Sequence, residues 1–136
     1  MTVDIRFSDG PIVIPAVSLP SREIGSQLEF SGIVREMEDD RALEALYYEA
    51  YESMARRLLE QHFADIARSH PVDEVLFIHR LGKVPVGEAS LFMRVLSRRR
   101  AEGIAFLAEA VIRLKRDVPI WKLTRPAADG EFPHNP

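Results

Sequence analysis

The chain has 136 residues, 46% of them hydrophobic and 29% charged, with a formal charge of −3: enough for one core but not two. Its longest apolar stretch, Pro11 to Val17, falls far short of the roughly 20 residues of a membrane helix, and the N-terminus lacks the basic-then-apolar layout of a signal peptide, so no membrane association and a cytoplasmic location are expected. With no cysteine, disulfides, thiolate nucleophiles and cysteine-based metal sites are excluded.

Val3, Ile5 and Phe7 alternate with polar residues up to Asp9-Gly10, which predicts a short strand and a turn. Pro11, Pro15 and Pro20 keep the next stretch irregular. Strand patterning returns from Ile24 to Arg35, and Gly32 inside it predicts a bulge or a close backbone approach. Glu36, Glu38, Asp39 and Asp40 read as a solvated loop, too wet for a tuned acid/base pair. Arg41 to Tyr51 is read as one further strand. Ser53 to Ser69 carries Met54, Leu58, Leu59, Phe63 and Ile66 on one helical stripe, and Pro71 ends it.

Val72 to Leu81 and Ala89 to Ser97 are two apolar strands, the first covered on both faces, joined through a hairpin loop at Gly82 to Gly87. Ala101 to Arg116 is a second helix, with Ile104, Leu107, Ala108, Val111 and Leu114 as its apolar stripe. Asp117 to Thr124 closes with a short strand. Residues 1–125 are thus expected to form a single domain, and the proline-bearing tail 126–136 to be loose. This element order favours an α+β fold, a mostly antiparallel sheet with two main helices.

Charge is unevenly spread. Ser97 to Arg125 holds eight Lys/Arg against three acids, a net +5, which leaves −8 elsewhere. At about 100° per residue, Lys115 falls about 20° from Ile104 and so extends the apolar stripe. An amine so placed among other cations is expected to have a lowered pKa and to serve as a base or nucleophile. Lys122 follows seven residues later and could share its pocket. Arg98, Arg99 and Arg100 run into the second helix, whose N-terminal amides favour an anion. Arg100 and Lys115 are about 22 Å apart on one straight helix, so a single small-molecule site using both needs a second subunit. His62, His70, His79 and His134 lack metal-binding spacing, so no metal is expected; His79 reads as a core-edge residue. The basic segment has no interleaved aromatics, and no nucleic acid is expected.

Together these residues resemble the large, catalytic subunit family of molybdopterin synthase. The similarity runs through Phe30-Ser31-Gly32-Ile33-Val34-Arg35, Tyr48-Glu49-Ala50-Tyr51 to Met54, Ile78-His79-Arg80-Leu81-Gly82, Gly87-Glu88, Ser97 to Arg100, and Leu114-Lys115 with Pro119-Ile120-Trp121-Lys122. The resemblance implies an α/β hammerhead-type fold and a homodimer, which becomes a heterotetramer with a small ubiquitin-like sulfur carrier. The carrier's C-terminal Gly-Gly thiocarboxylate would deliver sulfur to cyclic pyranopterin monophosphate, forming the molybdopterin dithiolene without any cofactor.

By matching position, Lys115 and Lys122 would be catalytic, with Phe30, Arg35, Arg99 and Arg100 binding substrate, the arginines at the helix start coming from the other subunit. Zero cysteine suits such chemistry, because the sulfur arrives on the partner. Three departures stand out. Arg99 occupies the family's usual histidine position. Leu123-Thr124 replaces a basic residue and Glu, so a carboxylate supporting Lys122 is expected to be missing. The tail is short. A diverged, non-catalytic carrier-binding paralogue is the alternative these departures suggest.

Overall fold

The computed structural model describes residues 1–125; the predicted loose tail and His134 lie outside them. In chain order the elements are β1 (Thr2–Ser8), β2 (Ser26–Ile33), β3 (Met37–Glu38), β4 (Arg41–Ala42), β5 (Ala45–Ala50), α1 (Glu52–Ser69), β6 (Glu74–Arg80), β7 (Gly82–Pro85), β8 (Ala89–Ser97), α2 (Arg100–Asp117) and β9 (Ile120–Leu123). The fold is α+β with two main helices and mostly antiparallel pairing, as expected. The four-stranded sheet has the order β1-β6-β8-β2, and within it only β1 and β6 run parallel.

Alternation along β6 and β8 decides which side chains meet the helices. Val75 and Phe77 of β6 join Leu91, Met93 and Val95 of β8 in one core with Leu59, Phe63 and Ile66 of α1 and Phe106, Ala110 and Leu114 of α2. Phe63 lies at the centre, its ring centroid 6.2 Å from that of Phe77 and 5.7 Å from that of Phe106. The opposite face carries Ile78, Phe92 and Leu96, also buried. The proline-rich stretch before β2 passes over this face, where the Arg94 guanidinium donates to the Pro15 carbonyl oxygen at 2.8 Å. Both faces of β6 are therefore covered, as its unbroken apolar run predicted. The glycine in β2 marks an irregularity too, since the β2–β8 register shifts between Gly32 and Ile33.

A second sheet, β7-β5-β9, corrects three expectations. The stretch from Gly82 to Gly87 is not merely a hairpin loop: β7 leaves the end of β6 and pairs with β5. Gly87 (φ +88°) supplies the left-handed position of the tight turn that follows, closed by Glu88 N–H donating to the Pro85 carbonyl. The predicted strand from Arg41 to Tyr51 divides into β4 and β5. The acidic stretch is no plain loop either, because β3 and β4 form a two-residue hairpin whose central Asp39 (φ 50°) and Asp40 (φ 62°) are both left-handed, the geometry of a type I′ turn.

The helices form where predicted, but their buried faces are rotated. α2 buries Gly103, Phe106, Ala110 and Leu114, whereas Ile104 is 55% and Ile112 53% exposed. Lys115 therefore does not extend the buried stripe; it is exposed and lies among Ile104, Ala108 and Ile112 on an outward apolar flank. Met54 of α1 is likewise exposed, and Ala55 takes its place in the core. Among the described residues no helix is long and apolar enough to cross a membrane.

Candidate active site

Pro119 ends α2 by ruling out a further helical turn, since Val118 before it is held extended (φ −98°, ψ 133°). The chain passes directly into β9, and Tyr51 N–H donates to the Pro119 carbonyl at the start of α1. This short connection leads from Lys115 at the end of α2 to Lys122 on β9. Lys122 faces Tyr48 across the β5–β9 ladder.

A cavity of about 490 Å³ opens between these elements and the ends of β2, β6 and β8, and Phe30, Arg35, Lys115 and Lys122 all line it. Four of the six residues singled out from the sequence thus share one site. Arg99 and Arg100 do not join them. Both are exposed at the opposite end of α2, where Arg99 lines a separate depression with Pro71, Val72, Asp73 and Glu102. Their neighbour Arg98 is engaged by Glu23 at 3.1 Å and Asp73 at 3.7 Å.

The cavity also holds groups that the sequence reading passed over. Glu38, assigned to a solvated loop, has a side chain only 13% exposed; its carboxylate accepts a hydrogen bond from Lys122 Nζ and lies 4.0 Å from the Arg35 guanidinium. The carboxylate thought to be missing beside Lys122 is therefore present, supplied from β3 rather than from the residues after Lys122. Lys115, by contrast, has neither a hydrogen bond nor an ion pair among the described residues.

His79, at the end of β6, lines the cavity and is 4% exposed. Its Nδ1 sits 2.8 Å from the Arg80 carbonyl, so that nitrogen carries the proton and Nε2 offers a lone pair. The Tyr48 ring meets the imidazole edge-on at 4.9 Å between centroids. Burial pushes the imidazole pKa down to about 4, against the opposing effect of the backbone hydrogen bond. This ring is neutral at physiological pH. Ser90 completes the polar lining.

Chemically, the site combines an unpaired amine, a second amine held by a carboxylate, a guanidinium, a neutral imidazole and the apolar surface of Phe30, Leu46 and Ile120. Such a set can bind an anion attached to a planar, partly apolar body and move a proton beside it. Among the described residues no three of His, Asp and Glu are grouped to hold a metal ion.

Residues 8–117 match the family described as MoaE protein. A molybdopterin synthase catalytic subunit from Nostoc sp. is 37% identical over 99 residues, covering 72% of this chain and 60% of that protein. The chain thus spans less than two thirds of the length of that relative. The crystal structure of molybdopterin synthase from Staphylococcus aureus superposes with a TM-score of 0.75 at 28% identity, covering 85% of this chain and 86% of that one. A complex of subunits 1 and 2 of molybdopterin-converting factor from Helicobacter pylori gives a TM-score of 0.64 at 23% identity over 83% of this chain and 77% of that one, which speaks to the fold.

Proposed function

The chain belongs to the MoaE protein family, and from that premise we propose that it is the catalytic subunit of a molybdopterin synthase. Its reaction would be two successive sulfur transfers to cyclic pyranopterin monophosphate, each from the C-terminal thiocarboxylate of a small ubiquitin-like carrier that is left as the carboxylate, together forming the dithiolene. The single observation that carries this reading is the convergence of Lys115, Lys122, Arg35 and Phe30 on one cavity of about 490 Å³.

In this mechanism Lys115, with no counter-ion among the described residues, acts as general base or forms a transient bond. Lys122 orients the thiocarboxylate or stabilises charge as it develops. Arg35 holds the substrate anion, and Phe30 offers apolar surface to the pterin. The carrier supplies the sulfur, so the absence of cysteine is no obstacle.

Arg99 and Arg100 contribute from a second copy of the chain. Two features support a homodimer: the helix separation of about 22 Å, and the outward apolar flank of α2, where Ile104 and Ile112 are half exposed beside Lys115. With one carrier per subunit the assembly is a heterotetramer, in keeping with the Helicobacter pylori protein, whose structure is of a complex of two subunits. A cytoplasmic location belongs to the same reading.

Reconstitution with a thiocarboxylated carrier and the cyclic pterin tests it, with dithiolene product followed by mass spectrometry. Wild-type chain should yield product and Lys115→Ala should not; normal turnover by Lys115→Ala defeats the mechanism. Carrier binding with no product from the wild type would instead favour the non-catalytic paralogue.

A further inference from the structure

We infer that Glu38 is a resident anion of the cavity, a carboxylate that occupies the Arg35 and Lys122 cations when the site is empty and must swing aside when an oxyanion ligand arrives. The inference rests on the proposed function for the identity of that ligand, but not for the existence of the contact.

Three observations carry it. The Glu38 carboxylate accepts a hydrogen bond from Lys122 Nζ through one oxygen, while its other oxygen lies 4.0 Å from the guanidinium of the largely exposed Arg35, within ion-pair range but too far for a hydrogen bond. It lines the same cavity as they do. Arg35 lies only three positions before Glu38, but Lys122 is 84 positions further along the chain, so the Lys122 contact is a tertiary one. Glu38 itself is mounted on the short β3–β4 hairpin, which pairs Met37 with Ala42 and Glu38 with Arg41 and is closed beyond them by Leu43 N–H donating to the Glu36 carbonyl. So short a ribbon can pivot at little cost in broken hydrogen bonds.

A carboxylate and a phosphate or thiocarboxylate offer the same thing to a guanidinium and an ammonium: negatively charged oxygen or sulfur acceptors. Glu38 and an incoming anion therefore compete for the same donors. The apparent dissociation constant of the ligand is its intrinsic value divided by the fraction of molecules in which Glu38 has moved away. Tyr48 pairs with Lys122 across the β5–β9 ladder, and the other polar groups that line the cavity, Lys115, His79 and Ser90, bring no second carboxylate among the described residues. Glu38 is thus a positioning residue that sets a threshold, so that only an anion able to outcompete a tethered carboxylate settles on the two cations.

The test uses the full chain and needs no turnover. Inorganic phosphate stands for the substrate phosphate and diglycine for the carrier terminus, each titrated into wild type, Glu38→Gln and Glu38→Ala and followed by the amide NMR shifts of Arg35 and Lys122. Both substitutions should tighten binding about five- to tenfold. A gain confined to phosphate assigns the competition to the substrate, and one confined to diglycine assigns it to the carrier. Asp40→Asn removes the same charge from the neighbouring exposed turn and should leave both affinities unchanged. In reconstituted synthase, Glu38→Gln should lower KM for the competing ligand while kcat holds. Unchanged or weaker anion binding in both Glu38 variants overturns the inference, as does an equal gain in Asp40→Asn or a fall in kcat at constant KM. A synthase that fails to turn over in wild-type form would refute the proposed reaction yet leave the anion titration readable.

Discussion

Lys115 and Lys122 line one cavity from two different elements, the last turn of α2 and strand β9, but only Lys122 has a carboxylate partner. Under the proposed mechanism this difference gives them different tasks. A cation held by Glu38 can be replaced by another cation, whereas a base or nucleophile must be able to lose its proton, which arginine does not. Lys115→Arg should therefore be as inactive as Lys115→Ala, each losing at least about 10²-fold in kcat. Lys122→Arg should retain activity within about tenfold of wild type, and Lys122→Ala should not. Both side chains are exposed, so the melting temperatures of all four variants should match wild type. Single-turnover kinetics on reconstituted synthase provides the measurement, and an active Lys115→Arg would reverse the assignment.

His79 gives the protein a stability slope in weak acid. Its folded pKa, about 4, lies below the ordinary value of 6.5, so between those values the unfolded chain carries a proton that the folded one refuses. The contribution is fully present above pH 6.5 and is lost as pH falls through that window. From pH 7 to pH 5 the loss should be about 2 kcal/mol, a range in which carboxylates scarcely titrate. Urea unfolding at the two pH values measures it. His79→Gln should flatten the slope while keeping a polar side chain at the Arg80 carbonyl; an unchanged slope would show that the ring is not protonated on unfolding.

Most of the framework was legible because periodicity reports local backbone geometry. The strands β1, β6 and β8 and both helices appear at their predicted positions within a few residues. What periodicity could not report is which partner an element meets. Gly82 to Pro85 reads as a loop because it is short and contains glycine and proline, and it becomes a strand only through pairing with β5, which precedes it by the whole of α1 and β6. The α2 stripe misled for a related reason. Ile104 and Ile112 are apolar but face outward, while small Gly103 and Ala110, which a hydrophobicity pattern discounts, are buried. Glu38 escaped notice because its contact with Lys122 spans 84 residues. Lys115 and Lys122 were singled out by helix position and spacing, although the buried stripe invoked for Lys115 faces elsewhere, whereas Arg35 and Phe30 came only from the family resemblance.

Gly103 sets how closely α2 approaches the sheet. A Cβ there would lie 2.7 Å from Ser97 Oγ and 3.2 Å from Leu28 Cδ1. Ser97 is fully buried and its hydroxyl donates to the Arg99 carbonyl at 2.7 Å, so it cannot simply turn aside. Alanine would improve helix propensity by up to about 1 kcal/mol, but overpacking costs about 1–3 kcal/mol. Gly103→Ala should therefore lower the unfolding free energy and shift the start of α2, which carries Arg99 and Arg100. Gly10→Ala, where a Cβ meets nothing within 4 Å, is the matched control. Urea denaturation compares the two, and a stabilised Gly103→Ala would mean that the helix has room to move.

The separation of Arg100 from Lys115 makes a prediction about shared sites. If one active site takes Lys115 from one subunit and Arg99 with Arg100 from another, Lys115→Ala and Arg100→Ala homodimers are each defective for different reasons. A mixed dimer contains one site with both lesions and one with neither. Random exchange of equal amounts puts about half of the subunits in mixed dimers, so two impaired preparations should together recover about a quarter of wild-type activity. The recovery requires subunit exchange, so it should develop on incubation and be absent when the preparations are assayed at once. Because Arg100 lies at the far end of α2 from the cavity within its own chain, a site built from one subunit gives no such recovery. Activity of the mixture that stays at the average of the two parents would show that Lys115 and Arg100 do not meet in a site shared between subunits.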